Sequence, residues 1–429
     1  MKLVLFEDAT YQNLYPLTYL RPVFELRCGA TSLREKITAA AAADSAACFV
    51  RGWLGESYAE KTDLPVNDLD QLDGDALLVN GALLADGALD LSAMGQDEAV
   101  KAGGALAAAR VSGATLADAR DAASGENPAE TFDAVLAALE DRLSVTDADA
   151  TMIDAPWLLI RHNETMLEKD FERLYADRAG VHGDMHETSS IVGEEKRVYI
   201  AESATVGPMV AIDASDGPVV LEEDVKVLPH TRIDGPAYVG PKSQLHGGKI
   251  REGCSFGPVC RVGGEVECTI IQGYSSKYHD GFLGHSYVGE WVNLGAMTTN
   301  SDLKNDYTPV SVYLKGELTD TGEQFLGSII GDHTKTSIGV LLNTGSMIGM
   351  MSNLVFAGQL MPKEVPSFCW MLNNRPTKGM GFKNMLATAR AAMARRDKEL
   401  TEADEALIKH VRDMLKPQLR VAIKKAFKR

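Results

Sequence analysis

Nine histidines are present, and four of them, His230, His246, His279 and His285, fall within one Gly-rich stretch. Imidazole, with an unperturbed pKa near ~6.5, can take or give a proton at neutral pH, and a carboxylate beside it can fix its orientation. His279, followed by Asp280 and preceded by Glu265, is thus a residue whose type suits proton transfer. Metal chemistry has less to draw on. A zinc held by three imidazoles and a water needs a close His pair facing a third, and His279 and His285 stand six apart. The six cysteines, Cys28, Cys48, Cys254, Cys260, Cys268 and Cys369, contain no C-x-x-C pair. They read as reduced, mostly buried thiols, and not as a zinc site or a disulfide framework.

The elements that must position His279 are legible from a period of six. Leu221, Val227, Ile233, Val239 and Leu245 recur at that interval. Phe256-Gly257, Val262-Gly263, Leu283-Gly284, Val288-Gly289 and Leu294-Gly295 follow as aliphatic or aromatic residues, each before a Gly. A surface strand repeats at two and a heptad at 3.5, so a sustained six marks hexapeptide repeats of a parallel β-helix. One apolar residue per face points inward, and Gly suits the corner. The repeats run from about Ser189 to Phe368 and are interrupted by a polar segment near Lys304 to Gln324. Such inserted loops often carry a site. His279, in register with the repeats, is expected in a turn between coils.

The chain has 429 residues, 45% apolar and 24% charged, enough for two or three domains with cores of their own. Lys2–Phe6 and Ala76–Asn80 read as buried strands and Leu33–Ala47 as an Ala-rich helix. Ser112–Glu130 reads as a loop, and helices are expected from Pro128 to Arg142 and from Ala155 to near Tyr175. This alternation describes an α/β layer domain. From Asn384 the pattern is helical, with Thr401 and Asp404 capping a last helix that Pro417 is expected to kink or split.

Net charge is -17, yet Arg375–Arg429 holds fifteen Lys/Arg against six Asp/Glu. So acidic a body argues against nucleic acid as a partner. No signal peptide and no apolar stretch of ~18 residues is visible, so the expectation is a cytoplasmic protein with no membrane partner.

The string from His279 through Phe282-Leu283-Gly284 to Val288-Gly289-Glu290-Trp291-Val292-Asn293-Leu294-Gly295-Ala296 resembles the acetyltransferase domain of the bifunctional GlmU family. It departs at Met297, where that family usually has Gly, and in the longer insertion after Asn300. The resemblance implies acetyl transfer from acetyl-CoA to glucosamine 1-phosphate, with His279 as general base and Glu265 as the carboxylate near it. It implies sugar-phosphate contacts from Asn293, Lys277 and Arg261, acetyl-CoA contacts from Asn300 and Ala296, and a homotrimer. An amino sugar is largely an ammonium at neutral pH, and only the free amine attacks a thioester. A base is therefore required.

Leu3–Val23 resembles the opening of sugar-1-phosphate nucleotidyltransferases, with Pro16-Leu17-Thr18 and Pro22 in place. Ala9 and Tyr11 stand where that family has glycines, Asn13 where it has Arg, and Gly81 where it has a metal-binding Asp. With RPVFELRCG, these departures resemble a divergent GlmU-like branch of sugar nucleotidyltransferases. If nucleotidyl transfer from UTP to N-acetylglucosamine 1-phosphate operates, Arg21, Arg27, Arg34 and Lys36 are the available phosphate partners. Glu7 or Asp8, Asp8 foremost, would then hold Mg2+.

The expected architecture is a nucleotidyltransferase-like (Rossmann-like) α/β domain over 1–185, a left-handed parallel β-helix over 186–375 and a basic helical tail over 376–429. Two other functions fit the same residues: a single-activity nucleotidyltransferase whose β-helix only assembles it, or a non-catalytic trimeric scaffold.

Overall fold

A computed structural model describes residues 1–355 and 357–426, so Phe356 and the last three residues of the basic tail lie outside the described residues. The N-terminal layer is a six-stranded mixed sheet: β1 Lys2–Phe6, β2 Ser45–Phe49, β3 Ala76–Asn80, β4 Glu98–Ala102, β5 Ala105–Val111 and β6 Ser144–Asp147, in the order β2-β1-β3-β5-β4-β6. β1 pairs in parallel with β2 and β3, and β5 is antiparallel to both β3 and β4. The apolar runs of β1 and β3 are buried almost throughout, as expected of strands covered on both faces.

Two local expectations are corrected. The Ala-rich segment is helical only over α1, Leu33–Ala41, and then becomes strand β2, drawn in by parallel pairing with β1. The expected loop after Ser112 contains α3, Gly113–Ala122, with the Ser112 hydroxyl accepting from the Thr115 amide as its N-cap. α2 spans Gly52–Ala59, α4 spans Pro128–Glu140 and α5 spans Pro156–Leu174, both of the latter with Pro at their start.

Beyond α5 the chain winds into the β-helix, and its short parallel strands stack in register. The period of six becomes three faces. Leu221 pairs with Val239 on one, Val227 with Leu245 on the second, and Ile233 with Ile250 on the third. Each column is buried and fills the interior. The polar insertion forms an antiparallel hairpin, Ser311–Leu314 with Glu317–Asp320. Among the described inward positions that break the apolar rule are Lys277 and Asn300. Lys277 lies in register with Val262 in the second column, and Asn300 with Leu342 in the third.

The C-terminal helices, α6 Phe382–Ala394 and α7 Glu402–Ala426, fold back on the rest of the chain. The Thr401 hydroxyl caps α7 by accepting from the Asp404 amide at 3.1 Å. The Asp404 carboxylate in turn accepts from Ser57 on α2 at 2.7 Å and pairs with Lys61 at 2.5 Å. α7 runs through Pro417 without a break, so the expected split does not occur. All six cysteines are free thiols, five of them buried. Among the described residues no helix is long and apolar enough to cross a membrane.

Candidate functional site

His279 projects from an exposed turn of the β-helix into an open hollow of about 330 Å3 shared with His246, Tyr278, Asp280, Ala296 and Met297. The hollow is built across neighbouring coils, because His246 is in register with Gly263 one coil below the turn. The Tyr278 ring bridges the two imidazoles, 4.0 Å from that of His246 and 4.9 Å from that of His279. Burial, then the positive charge of Arg261 and the neighbouring His279, lowers the pKa of His246 from its ordinary value. His246 reads as ordinary packing in the sequence. Only the coil-to-coil register could have brought it to this hollow.

The backbone of the turn is held from inside. Lys277 donates to the carbonyl oxygen of His279 at 2.7 Å and to that of Gly263 at 2.9 Å. Burial lowers its pKa to about 8. A lysine committed to two carbonyls inside the β-helix is not placed to meet a sugar phosphate, so the expected substrate contact becomes a support for the turn. Asn300 is redirected in the same way. Its carboxamide accepts from the Gly284 amide and donates to the Gly284 carbonyl, both at 2.9 Å, stapling adjacent coils in place of an acetyl-CoA contact.

Glu265 sits on the strand between Lys249 and Phe282 and pairs with Lys249 at 3.8 Å. Arg261 donates to the carbonyl oxygens of Lys242 and Cys260 and stays half-buried. Asn293 is exposed on the coil above, and Ala296 lines the hollow itself. The structure therefore brings Ala296 to His279, keeps Asn293 accessible, and turns Lys277 and Asn300 inward.

In the N-terminal domain the expected phosphate partners are all engaged by protein. The Arg21 guanidinium reaches Asp332 at 2.9 Å and Glu290 at 3.2 Å, a clasp between this domain and the β-helix. Arg27 lies over the Tyr238 ring at 5.3 Å, and its amide donates to the Tyr287 hydroxyl at 2.9 Å. Lys36 is buried against Asp170 at 2.6 Å and the Thr31 hydroxyl at 2.6 Å. Arg34 pairs with Glu25 at 2.6 Å. Each of these cations thus has a buried or half-buried partner within the protein: Asp332, Tyr238 and Asp170 from distant parts of the chain, and Glu25 from nearby.

Magnesium is held by one or two carboxylates together with phosphate oxygens, and the residues here do not fit that need. Asp8 caps the turn at Ala9–Leu14, accepting from the Thr10 amide and from the Asn80 carboxamide, each at 2.8 Å. Both Glu7 oxygens accept from Arg51 at 2.7 Å. Gly81 leaves no room for a carboxylate, since a Cβ there would stand 2.5 Å from the Phe24 ring. Among the described residues there is no group of three His, Cys, Asp or Glu able to hold a metal. Arg51, not singled out in the sequence, lies against the turn that stands where a Gly-rich loop was sought. Its guanidinium lies 4.4 Å from the Tyr11 ring centroid and 4.5 Å from that of Trp53.

Residues 3–179 match the family model for sugar nucleotidyl transferases. The N-terminal domain is similar to that family. Similarity extends to proteins named as bifunctional. The bifunctional sugar-1-phosphate nucleotidylyltransferase/acetyltransferase of Sulfurisphaera tokodaii is 31% identical over 157 residues, 35% of this chain and 38% of that one. The bifunctional protein GlmU of Methanococcus vannielii is 30% identical over 131 residues, 30% of each chain. That of Nitrosospira multiformis is 25% identical over 202 residues, 42% of this chain and 43% of the relative. The chain thus spans less than half the length of each of these relatives. Among solved structures, the UDP-N-acetylglucosamine acyltransferase of Francisella novicida aligns at 15% identity and a TM-score of 0.30, over 50% of this chain and 74% of that one. So low a score adds nothing to the argument.

Proposed function

We propose that this chain transfers an acetyl group from acetyl-CoA to the amine of an amino-sugar phosphate, glucosamine 1-phosphate being the expected acceptor, with His279 as general base. The observation that carries this reading is an exposed imidazole on a rigidly supported turn, opening onto a hollow large enough for reacting groups. The His279 imidazole takes a proton from the amine as nitrogen attacks the thioester carbonyl. The C–N bond forms, the C–S bond breaks, and the departing thiolate of CoA takes up a proton. Relatives named as nucleotidylyltransferase/acetyltransferases support the same reaction class. The hollow is open on its outer side, and a homotrimer packed along the β-helix faces would supply the missing wall.

The companion reaction of such proteins, uridylyl transfer from UTP to N-acetylglucosamine 1-phosphate with Mg2+, has less support. Arg21 and Lys36 are buried and Arg27 half-buried in protein contacts, and a Cβ at Gly81 would meet the Phe24 ring. We read this domain as silent in nucleotidyl transfer. The test is thiol release from acetyl-CoA with glucosamine 1-phosphate, run beside pyrophosphate release from UTP and N-acetylglucosamine 1-phosphate. Thiol release alone is expected. Pyrophosphate release alone would favour the single-activity nucleotidyltransferase, and neither would favour the scaffold.

A further inference from the structure

A second cleft, of about 580 Å3, opens where the N-terminal domain, the β-helix and the C-terminal helices meet, and none of the residues around His279 lines it. Its floor holds the Arg21 clasp, where one guanidinium faces the two carboxylates of Asp332 and Glu290. Higher up, Arg34 with Glu25 and Lys61 with Asp404 cancel in pairs. At the clasp itself two carboxylates therefore share one guanidinium, while Lys335 behind His333 is bonded to backbone carbonyls and not to them.

Two polar atoms at this floor have no hydrogen-bond partner among the described residues: Asp332 Oδ2 and His333 Nδ1. Their residues are 0% and 6% exposed. Asp332 Oδ1, by contrast, accepts from both Arg21 at 2.9 Å and the Glu290 amide at 2.6 Å. Buried polar atoms are nearly always satisfied, and one left bare is costly. Burial, with the charges of Lys335 and Arg21 behind it, keeps the His333 imidazole well below its ordinary pKa, so it is neutral at pH 7.

One wall is a ladder of flat rings from successive coils. Tyr274 stacks on Trp291 at 4.4 Å and Trp291 on His333 at 6.2 Å. Lys335 braces this ladder from behind, donating to the carbonyl oxygens of Trp291 at 3.0 Å and His333 at 2.9 Å. A cleft with a rigid apolar wall and a few convergent polar groups is the usual form of a small-molecule site.

The charge and the bare atoms select the ligand. A phosphate or carboxylate would meet the excess carboxylate at the floor, and a purely apolar ligand would leave both bare atoms as they are. Hydroxyl groups donate and accept, and so suit a carboxylate and a neutral imidazole together. We propose that this cleft binds an unphosphorylated sugar ring, whose hydroxyls bond to Asp332, Glu290 and His333 while its carbon face lies along the ladder. The site goes beyond the acyl-transfer reading and does not rest on it.

The test is calorimetric titration of the full chain with D-glucose, D-glucosamine and D-glucose 1-phosphate. Both unphosphorylated sugars are expected to bind saturably in a manner that depends on Asp332, and any binding of the phosphate ester that depends on Asp332 to be about ten-fold weaker or absent. Asp332→Asn is expected to weaken sugar binding about ten-fold or more. His333→Asn serves as the second variant, because His333 has φ of 58° and Asn tolerates that backbone. His279→Ala is expected to leave binding unchanged. No saturable binding of either sugar, Asp332-dependent binding of the phosphate ester as tight as that of the sugars, sugar binding that persists in a folded Asp332→Asn or His333→Asn, or its loss in His279→Ala would each overturn the proposal.

Discussion

The ammonium of Lys277 lies 2.7 Å from the carbonyl oxygen of His279, so a buried cation inside the β-helix holds the turn that presents the imidazole outside it. Lys277 stands where Val227, Leu245 and Val262 fill the same column in preceding coils. An apolar residue would pack there without bonding the turn. The lysine is thus read as a positioning residue, acting through the backbone of His279.

Replacing Lys277 by Met should keep the column filled while freeing the carbonyls of Gly263 and His279. The unmet carbonyls cost about 1–3 kcal/mol, offset in part because a charge is no longer buried. Thermal unfolding should therefore change little. kcat for acetyl transfer should fall by about 10²-fold with KM nearly constant, the cost of a base displaced by about 1 Å. A stability loss with unchanged kcat would mean that Lys277 only holds the fold.

Lys335 gives a pH signature. Burial lowers its pKa to about 8 in the folded chain from 10.5. Between those values the unfolded chain holds a proton that the folded chain has released, so this group's contribution to stability rises with pH. It is full above about 10.5 and lost as pH falls through about 8. Urea unfolding of the wild type and of Lys335→Met, compared at pH 8 and pH 10, should show the wild type gaining on the variant. A difference that stays flat across that window would contradict the lowered pKa.

Arg21 is assigned to architecture and not to phosphate. Arg21→Ala leaves Asp332 buried with its partner gone and should cost about 3–5 kcal/mol in urea unfolding. Calorimetry with UTP and magnesium should show weak or no binding in the wild type. Tight binding that Arg21→Ala abolishes would restore the phosphate role and a working nucleotidyl-transfer site.

The sequence reading succeeded where a pattern is local and repeated. Leu221, Val227 and Ile233 announced three faces because each coil writes the same apolar positions again. Thr401 capping α7 was visible because the cap and its target are three residues apart. It failed where a partner is remote. Nothing near Arg21 foretells Asp332, and nothing in Ser45–Phe49 foretells the parallel pairing that makes it a strand. Lys277 and Asn300 misled for a different reason. A family motif and an inward column coincide at those positions, and only the coil register separates a ligand contact from a backbone staple. The ladder of Tyr274 and Trp291 is legible only as aromatic residues one coil apart, and the GlmU-like string that contains Trp291 does not reach Tyr274.

The most direct measurement of the central claim is turnover of acetyl-CoA and glucosamine 1-phosphate by His279→Ala, followed as free-thiol release. A general base contributes typically about 10²–10⁴-fold, so the variant should lose about 3–5 kcal/mol of transition-state stabilisation, mainly in kcat. His279 is exposed in a turn, so its truncation opens no core cavity and the melting temperature should stay close to that of the wild type. A folded His279→Ala protein that releases thiol at a near-normal rate would contradict the account.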